Sequence, residues 1–161
     1  MADNTEIERK YLVKDTQFIK DSFKQYKIKQ GYLSTDPERV VRVRIKESKG
    51  FITIKGKSNK SGTTRFEWEK EIDILEAESL LEIALPGVID KTRYLVNFKN
   101  QIFEIDVFYG DNSGLILAEL ELLNEEQEVY LPKWITEEVT ADPRYYNSYL
   151  IDTPFIKWKK A

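Results

Sequence analysis

Acidic side chains recur two residues apart in Glu6/Glu8, Glu67/Glu69, Glu104/Asp106 and Glu119/Glu121. Basic ones do the same in Arg42/Arg44, Lys55/Lys57 and Lys91/Arg93. In an extended chain, side chains at i and i+2 share a face, about 6.5–7 Å apart along the backbone. Each pair therefore sets two like charges side by side, which is unfavourable unless opposite charge sits between them. Carboxylates so placed suit a hard divalent cation that keeps several waters, such as Mg2+ or Mn2+. Arg and Lys supply forked and point-charge contacts to phosphate oxygens. Acidic and basic arrays facing one cavity would suit a triphosphate, with about four negative charges, whose transfer chemistry is mostly positioning and charge neutralisation.

A simpler reading makes these faces ordinary solvated surface. That reading serves for any single pair. It serves poorly for a set sorted by sign over six or more strands, so the charged faces are expected to line a wet channel, with the apolar faces turned outward.

The chain has no Cys and no His. Their absence removes disulfides, the common zinc sites, Ser-His-Asp triads and Cys-His pairs. Any chemistry must run on carboxylates, Lys, Arg, Tyr, hydroxyls and oxygen-held metal. Charged residues make up 33% of the 161, yet 25 basic against 28 acidic leave a net charge of only −3. That balance speaks against a nucleic-acid partner, which would call for a basic excess.

The elements that must position these residues read mainly as strands. Period-two alternation runs through Glu6–Val13, Ile28–Leu33, Val40–Glu47, Phe51–Lys57 and Thr64–Ile72, then Val88–Val96, Gln101–Tyr109 and Leu115–Leu122. Asp15-Thr16 reads as the start of a short amphipathic helix to about Tyr26, and Leu75–Leu85 has helical spacing ended by Pro86-Gly87. Lys49-Gly50 reads as a hairpin turn, and a short helix is expected around Asp142–Ile151. Eight strands at meander-like spacing imply an α+β fold: an eight-stranded antiparallel β-barrel, a tunnel, with a few short flanking helices, in one domain over residues 1–161. No stretch reads as a signal peptide, and the longest apolar run is Leu115–Ala118, so a cytoplasmic protein without a membrane partner is expected.

Gly56-Lys57-Ser58 looks like the end of a phosphate-binding P-loop. The first glycine of that motif would fall at Phe51, however, and the segment alternates like a strand. It is rejected.

Glu6-Ile7-Glu8-Arg9-Lys10 resembles the signature of the CYTH superfamily, the triphosphate tunnel metalloenzymes. The resemblance continues in order through Gln30-Gly31-Tyr32-Leu33, Arg42-Val43-Arg44, Thr53-Ile54-Lys55 and Arg65-Phe66-Glu67-Trp68-Glu69. It then takes in Lys91-Thr92-Arg93-Tyr94, the segment from Phe103 to Phe108, Glu119-Leu120-Glu121, and the segment from Val139 to Tyr145. The first motif alone is weak; the ordered set is specific and spans nearly the whole chain.

The resemblance implies a tunnel barrel that binds triphosphate and a divalent metal, Mg2+ or Mn2+. It implies Glu6, Glu8, Glu119 and Glu121 as metal carboxylates, with Glu67, Glu69 and Asp106 as further members. Lys10, Arg42, Arg44, Lys55, Lys91, Arg93 and Arg144 are implied as triphosphate binders. Lys10 and Lys91 are expected to stabilise developing charge, and Tyr32 to act on the attacking water or the metal. Lys57 and Arg65 are weaker carry-overs, and Trp68 is expected to be outward-facing core. The motif wording is most like that of compact bacterial members that hydrolyse inorganic triphosphate. Class IV adenylate cyclases, thiamine or nucleoside triphosphatases, and a non-catalytic polyphosphate-binding module are the alternatives. The expected partner is a triphosphate-containing small molecule, with a homodimer left open. The C-terminal Lys157-Trp158-Lys159-Lys160 has no counterpart and reads as a solvated end.

Overall fold

Strand β1 (Thr5–Val13) closes the molecule on itself. Its first residues pair with β5 (Thr64–Ile72), from Thr5↔Phe66 to Ile7↔Thr64, while β8 (Ile116–Glu121) runs along its other edge from Glu8↔Glu121 to Leu12↔Leu117. Between them lie β2 (Ser22–Ser34), β3 (Val40–Lys46), β4 (Lys49–Lys55), β6 (Ile89–Phe98) and β7 (Gln101–Phe108), all antiparallel. The order around the ring is β1, β5, β4, β3, β2, β6, β7, β8. This computed structural model describes residues 4–158. The expected eight-stranded barrel is what forms, closed by the short β1–β5 seam over Thr64–Phe66.

The apolar faces do turn outward. Tyr11, Val13, Val96, Phe103, Ile105, Ala118 and Leu120 form an external core under Phe18 and Trp134. Helix α1 (Ile74–Glu82), capped by the Asp73 carboxylate accepting from the Leu75 amide, covers another part of the wall. Gly31 and Gly50 let it lie close: a Cβ on Gly50 would sit 2.6 Å from the Ala77 Cβ, and one on Gly31 3.0 Å from the Leu81 Cδ2. One end of the interior is apolar as well. Ile89, Phe108 and Leu117 continue the inward faces of β6, β7 and β8 and pack with Val139, Tyr145 and Leu150 of the C-terminal segment. No helix among the described residues is long and apolar enough to cross a membrane.

Several local expectations are corrected. The predicted helix from Asp15 to about Tyr26 is a single 3-10 turn, Gln17–Asp21, and β2 already begins at Ser22. Of its apolar residues only Phe18 is buried, while Ile19 and Phe23 are exposed; pairing of Ser22–Ile28 with β6 overrides the helical spacing. The β3–β4 turn falls on Glu47-Ser48, with Glu47 at φ 54, so Gly50 lies within β4. β4 ends at Lys55 and Lys57 is exposed. A ninth strand, β9 (Ile135–Glu138), was not anticipated; it pairs beside β1 beyond the β5 seam. The expected C-terminal helix is split into a 3-10 turn, Pro143–Tyr145, and a one-turn helix, α2 (Asn147–Leu150). The Asp142 side chain accepts from the Arg144 amide at the start of that turn. Trp158 is no solvated end: its ring packs edge-on against Tyr145 and Phe155, and its indole N–H donates to the Thr153 carbonyl. Lys159 and Lys160 lie outside the described residues.

A candidate active site in the barrel

The barrel encloses a cavity of about 260 Å³ lined almost wholly by charged and polar side chains. Strand order explains its charge pattern. Neighbouring strands β5, β1, β8 and β7 contribute Glu67 and Glu69, Glu6 and Glu8, Glu119 and Glu121, and Glu104. Neighbouring strands β6, β2, β3 and β4 contribute Lys91 and Arg93, Tyr32, Arg42 and Arg44, and Lys55. One continuous half of the wall is therefore mainly acidic and the other basic; Lys10 of β1 and Arg65 of β5, a weaker carry-over that does line the cavity, are the cations within the acidic half.

The two halves are stitched at their seams. At β4–β5, Lys55 reaches Glu6 at 3.1 Å and Glu67 at 3.4 Å, while Glu69 accepts from Thr53 at 2.7 Å and lies 3.5 Å from Arg42. At β6–β7, Arg93 holds Asp106 at 2.8 and 3.0 Å and Glu104 at 3.0 Å, and Lys91 holds Asp106 at 2.7 Å. In the middle of the basic half the cations are less well matched. The buried Nε of Arg42 has no partner among the described residues.

Burial and crowding shift the titrations. Burial, aided by Arg42 and Arg93, lowers Arg44 to about 9. Burial, with Arg93 and Arg44, outweighs Asp106 and brings Lys91 down to about 7. For Arg93 burial acts downward too, but Asp106 and Glu104 overcome it and hold its pKa well above the ordinary value. Burial lowers Lys55, with Glu6 and Glu8 opposing. Burial also raises the Tyr32 phenol, so it is neutral and can donate a hydrogen bond. In the acidic half, burial and then Glu119 and Glu6 push Glu8 well up. Glu119 is held well down, because Lys10, Arg93 and Lys91 and a hydrogen bond from Glu8 outweigh its burial. No three acidic groups among the described residues stand ready-made around a metal position. Even so, Glu8 and Glu119 are neighbouring buried acids whose charges repel, an oxygen-only donor set in which a cation would relieve the repulsion.

Of the anticipated residues, Glu6, Glu8, Lys10, Tyr32, Arg42, Arg44, Lys55, Glu67, Glu69, Lys91, Arg93, Glu119 and Glu121 do meet at this cavity. Two do not. Asp106 is 1% exposed: it stands on the inward face of β7 but is covered by Lys91 and Arg93, on which it spends both oxygens. Arg144 is exposed, pairs with Asp142 at 2.6 Å and lies over the Tyr145 and Trp158 rings. Trp68 faces outward as expected but is 37% exposed rather than core. Glu104, read as one of the paired acids of the channel though not as a metal ligand, lines the cavity as well. Sequence reasoning missed Gln30 and Asn147. Gln30 carried a usable signal, standing two residues from Tyr32 on the same strand face. Asn147 lies in an irregular segment and carried none.

Fold and site together define a class: a closed antiparallel barrel whose interior is charged instead of apolar. The description of the CYTH domain matches residues 4–148, and the chain belongs to that family. It is 41% identical over 156 residues to the inorganic triphosphatase of Acetivibrio thermocellus, covering 96% of this chain and 98% of that relative. It is 38% identical over 150 residues to the inorganic triphosphatase of Nitrosomonas europaea, covering 91% and 96%. Among solved structures, the inorganic triphosphatase NE1496 superposes with a TM-score of 0.63 at 35% identity, over 94% of this chain and 95% of that one. PH1012 from Pyrococcus horikoshii OT3, at 24% identity and TM-score 0.60 over 74% and 79%, shares the fold.

Proposed function

We propose that this chain is a divalent-metal-dependent hydrolase of inorganic triphosphate. The observation that carries the reading is the division of one barrel cavity into an acidic and a basic half. Both near-full-length relatives at 41% and 38% identity are inorganic triphosphatases, which supports the same substrate here.

The basic half supplies what three linked phosphates need. Arg42 and Arg44 present guanidinium forks to the cavity. Lys91, Arg93 and Lys55 add charge from both flanks, and Lys10 from the acidic wall. Lys10 and Lys91 stabilise the charge that builds on the transferring and leaving oxygens. Tyr32, kept neutral by burial, donates a hydrogen bond and cannot serve as a phenolate base near neutral pH. Glu6, Glu8, Glu119 and Glu121, with Glu67, Glu69 and Glu104 at the margins, are the carboxylates that would hold Mg2+ or Mn2+. When bound, such a cation neutralises phosphate charge and lowers the pKa of a coordinated water. The polar lining gives phosphate oxygens partners on both sides of the cavity.

The test is phosphate release from tripolyphosphate with Mg2+ or Mn2+, beside ATP and thiamine triphosphate. The reading expects tripolyphosphate to be turned over with the highest kcat/KM. No turnover with either metal would sink it, and cyclic AMP formed from ATP would replace it with a cyclase.

A further inference from the structure

We propose that Asn147 and Gln30 form an amide bridge that sets the orientation of Lys91 and ties it to Arg44, making them positioning residues for the reaction. The role given to Lys91 rests on the function proposed above; the bridge itself rests on hydrogen bonds. Arg44 Nε donates to Gln30 Oε1 at 2.8 Å, Gln30 Nε2 donates to Asn147 Oδ1 at 2.7 Å, and Lys91 Nζ donates to the same Oδ1 at 2.8 Å.

Donor logic fixes both amides. An arginine Nε can only donate, so the oxygen of Gln30 must face it and the nitrogen must face Asn147. An ammonium can only donate, so Lys91 requires that same oxygen of Asn147. No other assignment satisfies the chain. The arrangement is sequestered: Gln30 is 0% and Lys91 1% exposed. A buried amide oxygen with two donors aimed at it is costly to remove, because both are left unsatisfied.

The count of protons on Lys91 gives the bridge its function. An ammonium has three, and one goes to Asp106 Oδ2 at 2.7 Å and one to Asn147. Two fixed acceptors leave a tetrahedral group one remaining N–H, and Lys91 lines the cavity. The pair Asp106 and Asn147 therefore directs a single proton of Lys91 to the bound phosphates. Asn147 is the first residue of α2, which Leu150 anchors among Ile89, Phe108 and Leu117. The C-terminal segment thus holds Lys91 through one side-chain oxygen. At the other end of the bridge, Gln30 holds the Arg44 fork.

Asn147→Leu keeps the size and removes the acceptor. The expected result is a fall in kcat for tripolyphosphate of about 10–100-fold with KM changed less, as for a misplaced catalytic group. Gln30→Leu frees Arg44 and should chiefly raise KM. The double variant should lose less than the product of the two single losses, because each removes the same bridge. The decisive readout needs no turnover. At pH 6 the Lys91 ammonium should give a slowly exchanging resonance in 15N-edited spectra. It should be lost in Asn147→Leu and kept in Asn147→Asp, which retains the acceptor. A merely structural role would lower the melting temperature and leave both kcat per folded molecule and that resonance in place. If Asn147→Leu does not fold, Asn147→Ala takes its place. A leucine or alanine variant with wild-type kcat and an intact resonance overturns the inference. Wild-type protein that shows the resonance but hydrolyses no triphosphate overturns the function instead.

Discussion

Glu8 stands directly across from Glu121 in the β1–β8 ladder, with both side chains on the cavity face. Glu104 stands in the same relation to Glu119 between β7 and β8. Like charges directly opposite one another weaken a sheet. Two such pairs at adjoining positions make the acidic wall a place where a bound cation relieves repulsion already built into the fold.

Glu8→Gln should therefore abolish metal-dependent turnover, by at least ~100-fold, and leave the fold intact. The folded-state pKa of Glu8 is raised, so its contribution to stability is full below the unfolded value and is lost as pH rises through the folded one. Without metal, the variant should melt no lower than the parent at neutral pH. Steady-state kinetics and paired thermal melts check both; a near-normal rate would contradict the metal assignment.

Lys91, at about 7 in the free protein, should gain a proton when a polyanion arrives, since the anion favours the ammonium. Triphosphate affinity should be full below pH 7 and fall as pH rises above it. Calorimetry in buffers of different ionisation enthalpy should record proton uptake near pH 7.5. Lys91→Met should abolish that uptake.

Asp106 separates two roles that the sequence could not. As the shared partner of Lys91 and Arg93, its loss leaves two buried cations under-paired, and Asp106→Asn should cost about 3–5 kcal/mol. Its pKa is lowered by Arg93 and Lys91 against its burial. Its contribution is therefore present above the unfolded carboxylate value and lost as pH falls through the folded one. Denaturant midpoints measure this. Unchanged stability with weakened metal binding would restore Asp106 to the metal set.

Gly50→Ala tests how α1 is seated. The new methyl would lie 2.6 Å from the Ala77 Cβ, so the helix must lift, at about 1–3 kcal/mol. The cavity wall is on the opposite face of β4, so KM should stay within about twofold, while the melting temperature falls.

The barrel was legible because its charged residues keep strict period-two spacing on strand after strand, which places them all on one face once the ring closes. Arg42, Arg44 and Glu119 could thus be chosen from spacing and resemblance alone. The sorting into two halves was not legible, since it depends on β1 lying between β5 and β8, a pairing distant in sequence. Asp106 shows the limit at a single residue: alternation fixes which face it takes, and only the reach of Lys91 and Arg93 decides that it is covered. Arg144 and Asn147 lie where no periodicity operates. Their places are set by the capping of Asp142 and by the apolar anchor at Leu150. The helix expected from Asp15 to about Tyr26 failed for a related reason, because long-range pairing with β6 outweighed local spacing.

The most direct test is anomalous diffraction from crystals grown with Mn2+ and a non-hydrolysable triphosphate analogue. The account predicts manganese against Glu8, Glu119 and Glu121, with phosphorus density between it and Arg42, Arg44 and Lys91. Manganese confined to the outer surface, with only water in the barrel, would contradict it.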